Sequence, residues 1–300
     1  MRPHLHISVL LGATLLLLGA CGADAEESGD QTSDSGDKNF NQSFGDAEVY
    51  PVFVSSELTV GSNRFIIGLL DSNDAPVNDA DIEVSVDFFN LAESRSEPAT
   101  SSDFEFVESI PGKRGVYVSN VEFSAPGEWG AEVDLAGGGV DENLLASFEV
   151  QRDSSTPSLG EAAPPSNTLT ADDAQSLSEI STDTDPDPEF YEFSVAEALE
   201  EGDPFVVVFA TPKFCASATC GPTLDIVKDA SSGFEQVNFL HVEPYSNLDD
   251  PDKLAPIKAV REWGLPSEPW VFVVDADGKV AAKYEGVLSA DELRETLSKL

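Results

Sequence analysis

Apolar and polar positions alternate with a period of two from Val49 to Val150, and this alternation predicts about seven short strands. The runs are Val49 to Val54, Asn63 to Leu70, Asp81 to Phe89, Phe104 to Ser109, Gly115 to Phe123, Glu128 to Leu135 and Leu144 to Val150. Turn-forming residues separate them: Ser72-Asn73-Asp74, Pro111-Gly112, Pro126-Gly127 and Gly137-Gly138-Gly139. Seven strands at this spacing predict an all-β sandwich over residues 48–151.

Past Glu189 the period changes. Ser194 with Glu197 forms a capping box that opens a short helix. Phe205 to Ala210 is a buried-type strand, Gly221 to about Ala230 a helix, Val237 to Glu243 a second strand and Asp252 to Trp263 a second long helix. Trp270 to Asp275 is a third strand, turned by Asp277-Gly278 into a fourth, Lys279 to Glu285. Ser289 with Glu292 caps a final helix to Leu300. The predicted order is βαβαββα, an α/β unit within residues 167–300.

The intervening segments are poor in apolar residues. Residues 22–47 are mostly Asp, Glu, Ser, Gly and Asn, and read as an acidic, disordered tether. Residues 152–166, rich in Ser, Pro and Ala, read as a linker; residues 167–190 are weakly patterned and go with the following unit.

Charge narrows the partners. With 56 acidic residues against 16 basic ones, the net charge of −40 repels nucleic acid and anionic membrane surfaces. The acid runs through both units and both connectors, which reads as a solubility trait rather than as a docking patch for a basic partner.

The first residues concern the compartment. Arg2 precedes the apolar run Ile7 to Leu18, too short to span a bilayer, so it reads as the apolar region of a signal peptide. The following Leu18-Gly19-Ala20-Cys21 resembles the bacterial lipobox. The resemblance implies that residues 1–21 are a lipoprotein signal and lipobox, that Cys21 carries the lipid, and that the protein is extracytoplasmic and membrane-anchored. An ordinary cleaved signal gives the same export without the lipid. In either case disulfides are permitted. With Cys21 as the lipid carrier, Cys215 and Cys220 are the one intramolecular pair left among three cysteines.

These two cysteines are the candidate chemistry. They stand where an apolar strand gives way to a helix start, where the helix N-terminus stabilises a thiolate. A loop and a first helical turn can bring their Cα atoms within the ~4.4–6.8 Å that a disulfide needs.

Two family resemblances bear on this. The run Gly115-Val-Tyr-Val-Ser-Asn-Val-Glu-Phe123, then Pro126-Gly-Glu-Trp129, resembles small exported immunoglobulin-like domains of the YtkA/FixH type. Tyr117 and Trp129 then read as core residues, and the absence of His, Cys and Met from this region speaks against a metal site there. The C-terminal part resembles the thioredoxin fold. Phe205 to Cys215 matches the strand leading to the redox loop, and Gly221-Pro222-Thr-Leu-Asp225 the helix with its kinking proline. Pro269, before Trp270-Val-Phe-Val-Val-Asp275, matches the family's cis-proline; Asp275-Ala-Asp-Gly-Lys-Val280 and Tyr284-Glu-Gly286 match its closing hairpin.

That resemblance implies a thiol–disulfide oxidoreductase. Cys215 would attack, Cys220 would resolve the mixed disulfide, and Pro269 would position substrate. The partners would be exported protein thiols or a redox partner protein, and no cofactor is implied. The Cys-x4-Cys spacing departs from the Cys-x-x-Cys of thioredoxins and from the Cys-x-x-x-Cys of Sco-type copper chaperones. Two other readings therefore stand beside the first. One is a non-catalytic binding module whose disulfide is structural. The other is a Sco-like copper chaperone, in which Cys215, Cys220 and His241 would form a Cys2His set. His241 falls within a predicted strand, where a lone histidine is more often packed than ligating. The acidic runs Asp183-Thr-Asp-Pro-Asp187 and Asp249-Asp-Pro-Asp252 lack calcium-loop spacing and read as solvated turns.

Overall fold

The computed structural model describes residues 37–40, 44–45, 47–110 and 112–300, so the signal region and Cys21 lie outside the described residues. The described residues form one compact unit. It is built on two main sheet systems.

The first system holds β1 (Val49–Phe53), β2 (Gly61–Asp71), β3 (Pro76–Val77), β4 (Ile82–Asn90), β5 (Thr100–Ile110), β6 (Arg114–Phe123), β7 (Gly127–Gly137) and β8 (Val140–Val150). All its ladders are antiparallel, in the order β1-β2-β6-β5-β4-β7-β8, with β3 beside β2. Strand β5 pairs with both β6 and β4, so the sheet folds over and its two halves face each other as a sandwich. Alternation decides what lies between them: Phe65, Ile67 and Leu69 of β2 meet Val84, Val86 and Phe88 of β4 and Trp129, Ala131 and Val133 of β7. Tyr117 and Trp129 are core residues. The Tyr117 hydroxyl donates to the Asp79 carbonyl at 2.5 Å, and Trp129 Nε1 donates to the Ala125 carbonyl at 3.0 Å. Within the stretch read as a tether, Phe40 is buried against Phe89, over a glycine, Gly130, whose missing side chain makes room for the ring.

The second system holds α1 (Val195–Glu201), β9 (Phe205–Phe209), α2 (Cys220–Ser231), β10 (Asn238–Val242), β11 (Tyr245–Ser246), β12 (Ala255–Pro256), α3 (Lys258–Glu262), β13 (Trp270–Val274), β14 (Val280–Glu285) and α4 (Ala290–Leu297). Its four-stranded sheet runs β10-β9-β13-β14, with β10 parallel to β9 and the other pairs antiparallel. Strands β9 and β13 are buried on both faces, which explains their unbroken apolar runs. Helices α2 and α4 cover one face through Leu224, Val227, Leu293 and Leu297. Helices α1 and α3 cover the other. There Val195, Ala198, Ala259 and Trp263 pack in one cluster with Phe205, Phe209 and Phe272.

Both predicted capping boxes are present, at Ser194 with Glu197 and at Ser289 with Glu292. The long helix expected over Asp252 to Trp263 is not formed. Pro251 opens a 3-10 turn ending at Lys253, and Pro256 holds the chain extended in β12, so only Lys258–Glu262 is helical. A proline in that position removes a helical N–H and pushes the residue before it out of the helical region.

The outer face of the sandwich packs on the second system. Ile66, Val116 and Val118 meet Val287, which follows β14. Arg64 donates from Nε and Nη2 to the two carboxylate oxygens of Glu292, each at 3.1 Å. The segment 152–166 lies against the same body. Ser154, Ser155 and Thr156 donate to Glu57, Lys283 completes that cluster, and Ala162 bridges to Lys279.

Candidate functional site

Strand β9 ends at Phe209, and the chain turns through residues 210–219 before α2 begins at Cys220. Two backbone hydrogen bonds to the Thr211 carbonyl, from Phe214 and Cys215, wind this loop. Cys215 and Cys220 form a disulfide with their Cα atoms 6.0 Å apart. Between them Ala218 has φ +60, a left-handed conformation that costs a residue with a Cβ about 1 kcal/mol.

The two sulfurs differ in surroundings. Cys220, the first residue of α2, is fully buried in the core, whereas Cys215 is half-buried. The Cys220 backbone N–H donates to Cys215 Sγ at 3.3 Å, and the Ser217 hydroxyl lies 3.2 Å from the same sulfur. Thr219, the residue before α2, makes no side-chain cap, so the open helix start directs an N–H at sulfur. If Cys215 carried a thiolate, this N–H and the positive end of the helix would both favour it.

Pro269 follows a cis peptide bond from Glu268 at the start of β13. Its side chain is buried, while Ser267 and Glu268 border a cavity of about 380 Å3. Ser217 and Thr219 of the disulfide loop border the same cavity. The Thr223 hydroxyl donates to the Gly286 carbonyl at 2.9 Å, fixing α2 to the end of β14 beside it. Burial raises the carboxyls of both Glu268 and Glu285 above the usual carboxylate range, against hydrogen bonds from Tyr245 to the first and from Ser56 and Ser267 to the second.

His241 lies apart from any ligand role in this arrangement. Its Nε2 is 2.9 Å from the Ala210 carbonyl and its Nδ1 is 2.7 Å from the Tyr191 hydroxyl. Burial pushes its pKa down to about 4, so the ring is neutral at pH 7. Among the described residues no group of three or more His, Cys, Asp or Glu side chains could hold a metal ion.

Sequence reasoning missed the buried polar groups behind the loop. Glu243 accepts from the Thr182 backbone and hydroxyl at 3.0 Å, and Lys213 N–H donates to that hydroxyl at 3.2 Å. Burial raises the Glu243 carboxyl. The one available signal is a histidine and a glutamate in the largely apolar run expected as a strand, Val237 to Glu243, of which Asn238–Val242 forms β10.

Residues 46–134 match the YtkA-like family, under a third of the chain. The N-terminal β-rich part is thus a YtkA-type, immunoglobulin-like domain, as its tyrosine and tryptophan strands imply. No curated protein matches the chain. Among solved structures, a DUF4426 family protein from Pseudomonas aeruginosa PAO1 is 16% identical, with 38% of this chain and 97% of that chain covered at a TM-score of 0.26. MtrC from Shewanella baltica OS185 is 13% identical, with 77% of this chain and 51% of that chain covered at a TM-score of 0.23. At these TM-scores neither likeness carries an argument. Among the described residues no helix is long and apolar enough to cross a membrane.

Proposed function

We infer that this chain is a thiol–disulfide oxidoreductase of exported proteins, with a thioredoxin-like C-terminal domain and a lipid anchor at Cys21. The observation that carries the reading is the asymmetry of the Cys215–Cys220 pair at the start of α2, one sulfur reachable and the other sealed. The sheet order β10-β9-β13-β14, with helices on both faces and Pro269 directly before β13, supports the fold assignment.

In the exchange, a substrate thiolate attacks Cys215 Sγ. A mixed disulfide forms, the Cys215–Cys220 bond breaks, and Cys220 leaves as a thiolate at the helix N-terminus. A second substrate thiolate then attacks the substrate sulfur of the mixed disulfide. The substrate leaves oxidised, Cys215 leaves as a thiolate, and the pair has gained two electrons. The reverse sequence, begun by Cys215 and resolved by Cys220, reduces a substrate disulfide.

Complete burial of Cys220 favours a second reading, a structural disulfide in a binding module. Copper carriage has weaker support, since both ring nitrogens of His241 are engaged. Alkylation of the folded chain across a dithiothreitol series separates the first two. Exchange requires that the pair be reduced while the chain stays folded, and that Cys220→Ser accumulate a mixed disulfide through Cys215. A pair that yields only after unfolding makes the disulfide structural.

A further inference from the structure

The cavity beside the disulfide has walls from both sheet systems. Its sandwich wall is largely apolar, made by Val52, Val54, Leu70 and Val116, with Arg114 as its one charged side chain. Ser217 and Thr219 face that wall from the disulfide loop, and Glu268 from the segment before Pro269. Six large apolar side chains are exposed among the described residues, and two of them, Val52 at 39% and Val54 at 44%, stand here. Together they leave apolar surface open beside the disulfide loop in an otherwise acidic chain. The volume, about 380 Å3, falls within the roughly 300–1,000 Å3 of ligand pockets.

We propose that this cavity seats an extended apolar segment of the substrate polypeptide, so that the sandwich selects which thiols reach Cys215. The proposal rests on the exchange reading above for the identity of the substrate as a protein. Two features define the occupant. Ser217, which borders the cavity, has its hydroxyl 3.2 Å from Cys215 Sγ, so a segment lying in the cavity brings neighbouring residues toward that sulfur. Glu268 and Glu285 outnumber Arg114 along the lining, and with the chain's net charge of −40 they disfavour an acidic segment. The wall is held in place by the Arg64–Glu292 pair and the Ile66–Val287 contact, which fix the sandwich against the second sheet system.

The test uses the full oxidised chain and labelled peptides of about ten residues with serine at the thiol position, so that binding is read without exchange. One peptide carries leucines and valines around the serine, a second replaces them with serine and asparagine, and a third adds glutamates to the first. Fluorescence anisotropy should show the apolar peptide binding at least about tenfold tighter than either of the others. Val54→Asp and Val52→Asp should each cost about tenfold, and the milder Val54→Ser a smaller part, with the thermal transition retained. Equal binding of the apolar and polar peptides overturns the proposal, as does unchanged binding by Val54→Asp. A dimer that Val54→Asp dissociates also overturns it, since a second copy would then be the occupant. Dithiothreitol reduction of the same samples reports on exchange alone. Selective peptide binding with an irreducible pair sinks the exchange reading, and a reducible pair with no peptide selectivity sinks only this proposal.

Discussion

Glu57→Gln tests how the two sheet systems are joined. The Glu57 side chain is 5% exposed and accepts from Ser155 N at 2.5 Å, Ser155 Oγ at 2.6 Å and Thr156 Oγ1 at 3.1 Å, with Lys283 Nζ at 3.3 Å and Ser154 Oγ also bound. Burial alone would raise its pKa, but these hydrogen bonds and the Lys283 charge outweigh burial and hold it at about 2, against 4.5 ordinarily. A carboxyl so depressed contributes about 3 kcal/mol at pH 7, at about 1.4 kcal/mol per tenfold. The sign follows from proton counts. Below pH 4.5 the unfolded chain takes up a proton that the folded chain refuses until about pH 2, so this stability is lost as pH falls. Glutamine cannot titrate and turns an amide donor toward a ring of donors. Urea unfolding followed by tryptophan fluorescence should therefore show a deficit of about 3 kcal/mol at pH 7 that shrinks to about 1.4 kcal/mol at pH 3. A deficit below about 0.5 kcal/mol at pH 7, or one that does not change with pH, would refute the reasoning.

Three further outcomes follow. In a chain beginning at residue 37, His241 is the sole histidine, and its ring resonances should titrate near pH 4 and stay flat from about pH 6 to 8; because the unfolded ring takes its proton near 6.5, the stability it contributes is lost as pH falls from 6.5 to 4. Gly264→Ala should lower the melting temperature by roughly 6–12 °C by calorimetry, since φ is +60 there and a Cβ would lie 1.9 Å from the Ser155 carbonyl oxygen. Glu292 both caps α4 and pairs with Arg64, so in urea unfolding Glu292→Ala should cost about 1 kcal/mol more than Glu292→Gln, which keeps the capping box.

Local pattern carries much of this fold. The seven predicted strands of the sandwich are present, because each inward residue needs an apolar neighbour two positions away. Strand β3, only Pro76–Val77, is too short to leave a periodic signal, and Pro256 defeats the helix expected to run through it. The cysteine pair is legible because its setting, an apolar strand before and a helix after, is local. The Arg64–Glu292 pair and the Glu57 cluster are not. Their members lie far apart in sequence and leave no periodic trace, and a charged residue that will be buried looks like one that will not. Glu243, one glutamate among many acids, is marked only by its place beside His241 at the end of an apolar run.

The bidentate contact of Arg64 has a bearing on how this molecule can be divided. Cutting the chain near residue 160 would leave the N-terminal piece with an unneutralised guanidinium beside a bare strip of Ile66, Val116 and Val118, and the C-terminal piece with Val287 open to water. Each fragment would tend to clump, and the last helix would lose a support that comes from the opposite end of the sequence.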